Sequence, residues 1–104
     1  MTTSNAPQTV AVVGAGSWGT ALAMQFARSG CYVKLGGIVE LDELAIMATR
    51  RENVRYLPGI KFPANLSACQ KIGECLQGAR DILVAVPSHG LRETLGQIKP
   101  LLGP

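Results

Sequence analysis

Short apolar runs alternate along the chain with longer stretches in which apolar residues recur every third or fourth position. Thr9 to Val13 is rich in β-branched residues and runs into glycines, so it reads as a buried strand. Ser17 to about Ser29 has a helical period, with Trp18, Leu22 and Phe26 on one stripe and Gly19, Ala23 and Ala27 on another. The small stripe suits close packing on a sheet, and Gly30 fits the position just past a helix end. Cys31 to Leu35 reads as a second strand. From Leu41 to Arg51 the spacing predicts a helix with Leu41, Leu44, Ala45 and Ala48 on one face. Asp42 and Glu43 in its first turn and Arg50 and Arg51 in its last suit the helix dipole.

A loop with Pro58, Gly59 and Pro63 follows, then a short strand at Leu66 to Ala68 and a helix near Cys69 to Leu76, stopped by Gly78. Asp81 to Val86 is an unbroken apolar run after its first residue, as expected of a parallel strand covered on both faces. Pro87 ends it, and Ser88 would cap a last helix with Leu91, Leu95 and Ile98 inward. Strand and helix alternate four times. The expected fold is therefore α/β: a Rossmann-type doubly wound parallel sheet in the order 3-2-1-4, truncated before a fifth strand. Residues 1–8 are expected to be a flexible N-terminus and 9–104 the domain.

The turn between the first strand and the first helix carries the candidate chemistry. Gly14-Ala15-Gly16-Ser17-Trp18-Gly19 is a GxGxxG in the context that motif needs, directly after a strand and opening a helix. Gly14 permits the tight turn, Gly16 lets a pyrophosphate approach the backbone, and Gly19 lets the helix pack close. The unpaired N–H groups of the helix start would then hold the phosphates. A glycine turn with no ligand is the alternative. No GK[ST] follows, so the segment is not a P-loop, and the third glycine favours a dinucleotide over the cofactor of a methyltransferase. The acidic residue that usually closes the second strand is missing, because Leu35 is followed by Gly36-Gly37-Ile38-Val39. Glu40 comes later and reads as a helix-start residue or, alternatively, as the ribose ligand.

Composition narrows the classes. The chain has 104 residues, 47% of them hydrophobic and 16% charged, which suits one domain that buries much of itself rather than a disordered segment. The net charge is only +3, with Lys and Arg dispersed, so no nucleic-acid partner is inferred. Cys31, Cys69 and Cys75 form neither a CxxC pair nor an even set, so they read as small core or surface residues rather than a disulfide framework or zinc site. No metal is expected. Residues 1–8 are polar without a basic segment leading into an apolar one, and no apolar run approaches membrane-spanning length. A cytoplasmic protein without membrane contact is expected.

Three segments together resemble a known family. Val10-Ala11-Val12-Val13 leading into Gly14-Ala15-Gly16-Ser17-Trp18-Gly19-Thr20-Ala21-Leu22-Ala23, then Arg51-Glu52-Asn53-Val54-Arg55-Tyr56-Leu57-Pro58-Gly59, and then Val84-Ala85-Val86-Pro87-Ser88-His89 resemble the N-terminal domain of NAD(P)-dependent glycerol-3-phosphate dehydrogenases. The middle segment is the most distinctive, since a generic dinucleotide fold has no reason to carry it. The resemblance implies NAD or NADP as cofactor. It implies hydride transfer between NAD(P)H and dihydroxyacetone phosphate, giving sn-glycerol 3-phosphate, a precursor in phospholipid synthesis.

By the same resemblance Ser17 and Trp18 contact the cofactor, Tyr56 lines the cofactor side of the cleft, and the loop from Pro87 to His89 lies beside the bound dinucleotide. The candidate cofactor residues are thus Gly14, Ala15, Gly16, Ser17, Trp18, Gly19, Tyr56 and Pro87. Each non-glycine has a structural alternative: Trp18 packing on the sheet, Tyr56 pinning its own loop, His89 as a helix-start residue rather than an acid or base. The chain departs from the family after Leu35, where an aromatic and then polar or basic residues are usual, and by one extra residue before Asn53.

The family's catalytic lysine and helical substrate domain lie beyond residue 104, so no catalytic residue is assigned here and the chain alone is expected to be inactive. Its expected partners are the dinucleotide and either that missing domain or a second copy, paired through the open edge of the fourth strand. Two other readings stay open: another two-domain NAD(P)-dependent hydroxy-acid dehydrogenase, and a non-catalytic nucleotide-binding module.

Overall fold

A computed structural model of the chain describes residues 8–37 and 41–102. Its elements are β1 (Thr9–Val13), α1 (Ser17–Arg28), β2 (Tyr32–Gly36), α2 (Leu41–Arg50), β3 (Leu66–Ala68), α3 (Ile72–Leu76), β4 (Asp81–Val84) and α4 (Ser88–Ile98), with a 3-10 turn at Lys99–Leu101. The four strands form one sheet in the order β3-β2-β1-β4, and every pairing is parallel. This is the doubly wound arrangement expected from the alternation of strand and helix, with the expected strand order. Glu40 and the N-terminal seven residues lie outside the described residues, so the ribose alternative for Glu40 and the flexible N-terminus stay as expectations.

β1 is central because its side chains alternate between two apolar environments. Val10 and Val12 pack with Ala23, Met24 and Ala27 of α1, Val33 and Leu35 of β2, and Leu44 and Met47 of α2. Ala11 and Val13 face the other way, onto Cys75, Leu76 and Ile98. A strand buried on both sides must be apolar at every position, which is why TVAVV does not alternate. On α1 the small-residue stripe is the one that meets the sheet: Gly19, Thr20, Ala23, Met24 and Ala27 are buried, while Trp18 is 70% exposed. Gly30 follows with φ +101 and donates its N–H to Ala27 O, as a residue just past a helix end does.

Several sequence expectations shift. β2 starts and ends one residue later than the apolar run suggested, because its register is set by β1: Val13 pairs with Gly36. On α2, Met47 is buried beside Leu44 and Ala48 is exposed, since the helix turns its i, i+3 positions to the sheet and not the alanine. α3 is shorter than expected and starts at Ile72, after Lys71 in an extended conformation.

β4 ends at Val84, not Val86, because its partner runs out there: Val84 pairs with Val13 and the next residue, Gly14, turns away at φ +123. Its apolar residues are half-buried, not covered on both faces, since β4 pairs with β1 alone among the described residues. α4 has Pro87, not Ser88, at its N-cap, with no side-chain cap bond. It buries Thr94 and Ile98, whereas Leu91 and Leu95 are 39% and 44% exposed. The expected inward stripe of Leu91, Leu95 and Ile98 is thus wrong by about one position around the helix. Among the described residues the sheet ends at β4, with no strand paired on its outer side. Also among these residues, no helix is long and apolar enough to cross a membrane.

Candidate functional site

β1 and β4 are neighbours, but the chain leaves β1 through α1 toward β2 on the opposite side. That reversal opens a crevice at the carboxyl ends of β1 and β4, the place where ligands of open α/β sheets sit. A groove of about 410 Å³ occupies it, lined by Gly14 to Gly19, Tyr56, and Ala85 to Pro87. The eight residues singled out from the sequence therefore surround one space. His89 is not among the lining residues; it falls in the first turn of α4 and is exposed.

The three glycines of the turn answer different demands. Gly14 has φ +123, and a Cβ there would overlap the carbonyl of Ala85. A Cβ on Gly19 would run into the carbonyl of Gly14, so Gly19 brings α1 against the turn itself rather than against the strand. Gly16 differs from both. Its φ of −76 is open to any residue, and a Cβ there would meet no protein atom within 4 Å. Neither strain nor packing inside the chain calls for glycine at this position, and the space above it is the groove.

Gly16 is also the N-cap of α1, whose first turn holds no acidic residue and no side-chain cap. The N–H groups of a helix's first turn have no partner within the helix and carry the positive end of its dipole. The turn is anchored from below, where Gly14 donates its N–H to Gly36 O at 2.7 Å, and Thr20 N–H closes onto Gly16 O at 2.9 Å.

Asn53 completes the anchoring, and the sequence reading quoted it only as part of a motif. It is 1% exposed. Its side-chain Nδ2 donates to Ala15 O at 3.0 Å and to Thr20 Oγ1 at 2.7 Å. Its Oδ1 accepts the backbone N–H of Tyr56 at 3.1 Å. One buried amide thus joins the glycine turn, α1 and the loop that carries Tyr56. A polar residue set between charged Glu52 and apolar Val54 at the entry to a loop was the available signal.

The loop has a second support: Glu52 Oε2 accepts from Gly59 N at 3.1 Å and Oε1 pairs with Lys61 Nζ at 3.0 Å. The Gly59 bond first, then Lys61, hold the Glu52 carboxyl below its ordinary range. Tyr56 is held outward at 37% exposure with Arg55 stacked 5.2 Å from its ring. Tyr56 and Trp18 both line the groove.

A second hollow of about 450 Å³ lies on the far side of Asn53, between α2 and the same loop, lined by Glu43, Ile46, Met47, Arg50, Asn53, Val54 and Arg55. It contains no helix N-terminus and no glycine backbone, and its Arg55 is paired with the Glu43 carboxylate of the same hollow. Among the described residues no group of three or more His, Cys, Asp or Glu side chains is placed to hold a metal.

Comparison with known proteins gives a consistent result. Residues 9–104 match the family model for the NAD-dependent glycerol-3-phosphate dehydrogenase N-terminus. A glycerol-3-phosphate dehydrogenase (NAD(P)+) of Idiomarina loihiensis is 46% identical over 93 residues, covering 89% of this chain and 28% of the relative. The one from Haemophilus ducreyi is 46% identical over 100 residues, covering 96% of this chain and 30% of the relative. The crystal structure of glycerol-3-phosphate dehydrogenase from Coxiella burnetii superposes with a TM-score of 0.88 at 41% identity, covering 94% of this chain and 30% of that one. A yeast glycerol-3-phosphate dehydrogenase structure gives 0.79 at 28% identity, covering 94% and 31%. The chain spans less than a third of the length of these relatives.

Proposed function

This chain belongs to the NAD-dependent glycerol-3-phosphate dehydrogenase N-terminal family, and from that premise we propose that its groove binds the dinucleotide NAD or NADP by the pyrophosphate. The observation that carries the reading is Gly16: a glycine with no internal reason to be one, at the N-terminus of a helix, facing a groove walled by Trp18 and Tyr56. An anion fits there because the helix end supplies N–H donors and a favourable dipole, and the exposed rings of Trp18 and Tyr56 offer faces for a flat ring system. Gly14 and Gly19 keep the turn tight enough for those donors to converge. Ser17 adds a hydroxyl at the same helix end, and Pro87 closes the groove from the β4 side.

The whole protein's reaction is then hydride transfer between NAD(P)H and dihydroxyacetone phosphate, giving sn-glycerol 3-phosphate. The bound nicotinamide supplies the hydride. The described residues bind and orient the dinucleotide, and the groups that grip and polarise the substrate are assigned to a following substrate domain, the natural partner for the outer flank of β4 and α4. The chain by itself is therefore expected to bind cofactor without turnover, and we place the protein in the cytoplasm.

Titration of NADH or NADPH followed by Trp18 fluorescence tests the binding. Trp18 is the one tryptophan of the chain and lines the groove, so saturable quenching or energy transfer to the nicotinamide is expected. Gly16→Val should abolish the change. Equal binding by Gly16→Val would overturn the assignment.

A further inference from the structure

Cys69 and Cys75, which the sequence separates by five residues, meet where β2 and β3 end. Cys75 is fully buried in the second core cluster, and Cys69, partly exposed, packs against that cluster. Cys75 Sγ lies 3.5 Å from Lys34 O, and a Cβ on Gly36 would stand 2.8 Å from the same sulfur and 3.4 Å from Cys69 O. The neighbouring Cys75 side chain draws the Cys69 thiol down to about 7, while Cys69 and burial raise that of Cys75. Burial opposes the drop at Cys69, the Lys34 ammonium assists it, and Glu74 opposes it. Lys34 is held at this place by bonds to the carbonyls of Glu74 and Gln77, 3.2 and 2.7 Å away. An accessible thiolate next to a buried second thiol is the arrangement of a redox-responsive pair.

We infer that Cys69 and Cys75 are an oxidisable dithiol, with Cys69 the group that attacks hydrogen peroxide and Cys75 the one that closes the disulfide. In the first step the Cys69 thiolate bonds to one peroxide oxygen and the O–O bond breaks. The departing hydroxide takes a proton and leaves as water, and Cys69 is left as a sulfenic acid. In the second step Cys75 Sγ bonds to Cys69 Sγ, the S–O bond breaks, and the Cys75 proton leaves with the hydroxyl as a second water. The two sulfurs lose two electrons and the peroxide gains them. The hydrogen bond with Cys69 first, then burial, then the Cys69 charge keep the Cys75 thiol protonated, and the charge is gone once Cys69 carries oxygen. The pair touches Gly36, whose carbonyl accepts the N–H of Gly14, so it sits one residue below the dinucleotide turn. Oxidation of the pair does not require that turn to bind a cofactor.

The test treats the chain with hydrogen peroxide, blocks remaining thiols with N-ethylmaleimide, and digests with trypsin, which cuts between Lys71 and Ile72. The expected product is peptide 62–71 joined to peptide 72–80 by a disulfide, with Cys31 carrying maleimide. Cys75→Ser should stop at the sulfenic acid, trapped by dimedone on Cys69, and Cys69→Ser should take no dimedone at Cys75. Before any oxidation, limited alkylation of the unaltered chain should label Cys69 at least about tenfold faster than Cys75, a readout that needs no variant to fold. Maleimide on all three cysteines after peroxide, a disulfide joining two copies instead of one, or equal labelling of Cys69 and Cys75 would overturn the inference.

Discussion

The side-chain amide of Asn53 donates to the carbonyl of Ala15 at 3.0 Å, tying the loop that carries Tyr56 to the middle of the glycine turn. The same nitrogen reaches Thr20 Oγ1 at 2.7 Å, and all three residues are buried. Partners exchanged with water would cost nothing to lose, but buried ones do. Asn53→Ala takes the donor from the Thr20 hydroxyl and leaves the Ala15 carbonyl to the longer 3.4 Å bond from Thr20 Oγ1, and should destabilise the chain by about 1–3 kcal/mol. Asn53→Asp should be at least as harmful, because a carboxylate offers no N–H and faces the same carbonyl. Urea unfolding checks both. A loss below about 0.5 kcal/mol for the alanine variant would mean that the clamp is not structural.

The glycines should separate by experiment into two kinds. Gly14→Ala forces a side chain into left-handed backbone and into the Ala85 carbonyl, and should cost about 1–3 kcal/mol for the strain alone. Gly16→Ala meets no protein atom and should leave the unfolding midpoint nearly unchanged while weakening NADH binding. If Gly16→Ala unfolds the chain or binds NADH as the unaltered chain does, the distinction fails.

NAD and NADP should bind with dissociation constants within about tenfold of each other, or ~1.4 kcal/mol. β2 ends in Gly36, followed by Gly37, and both are buried. The strand end therefore offers neither a carboxylate for the 2′-hydroxyl nor a guanidinium for the 2′-phosphate. Parallel titrations measure the ratio. A hundredfold preference either way would show that a charged side chain elsewhere reaches the ribose.

Acid should loosen the Tyr56 loop. The Glu52 carboxyl is held below its ordinary value of 4.5 by the Gly59 N–H and Lys61. A carboxyl with a depressed folded value stabilises fully above the unfolded value, and that contribution is lost as pH falls through the folded one. The loop should thus be insensitive to pH from neutrality to about 4.5 and loosen below it. NMR titration of the Gly59 amide checks this, with Glu52→Gln as the control. A Gly59 shift centred above 4.5 would contradict it.

The outer edge of β4 should recruit a partner. Among the described residues its backbone pairs only on the β1 side, and Leu91, Leu95, Leu101 and Leu102 are exposed nearby in sequence. The isolated chain is expected to self-associate in the micromolar range. Val84 packs into the core beneath the sheet, so Val84→Lys would test folding as much as association. Leu83→Lys is the better probe, since Leu83 is half-buried and belongs to neither core cluster. Analytical ultracentrifugation across a concentration series gives the answer, and a monomer at high concentration would refute the expectation.

The amino-acid sequence by itself determined the alternation of strands and helices, the strand order and the position of the glycine turn. These are local or topological matters. A run such as TVAVV closed by glycines reads as a buried strand, GAGSWG directly after it reads as a tight turn into a helix, and right-handed crossovers leave few ways to assemble them. It also pointed to Tyr56 and Pro87, through a resemblance rather than through any periodicity.

Tertiary structure alone decided which stripe of a helix faces in. Trp18, Leu91 and Leu95 are as apolar as their buried neighbours, and only the absence of a covering layer among the described residues leaves them in water. It decided that Gly14 and Gly19 are glycines because of the Ala85 and Gly14 carbonyls, while Gly16 is one for no reason inside the chain. It decided that Asn53, 38 residues from Ala15 along the chain, supports the turn, and that Cys69 and Cys75 share one site with Gly36. Such relationships arise when the sheet brings distant backbone within a few ångströms, and no spacing along the sequence encodes that distance.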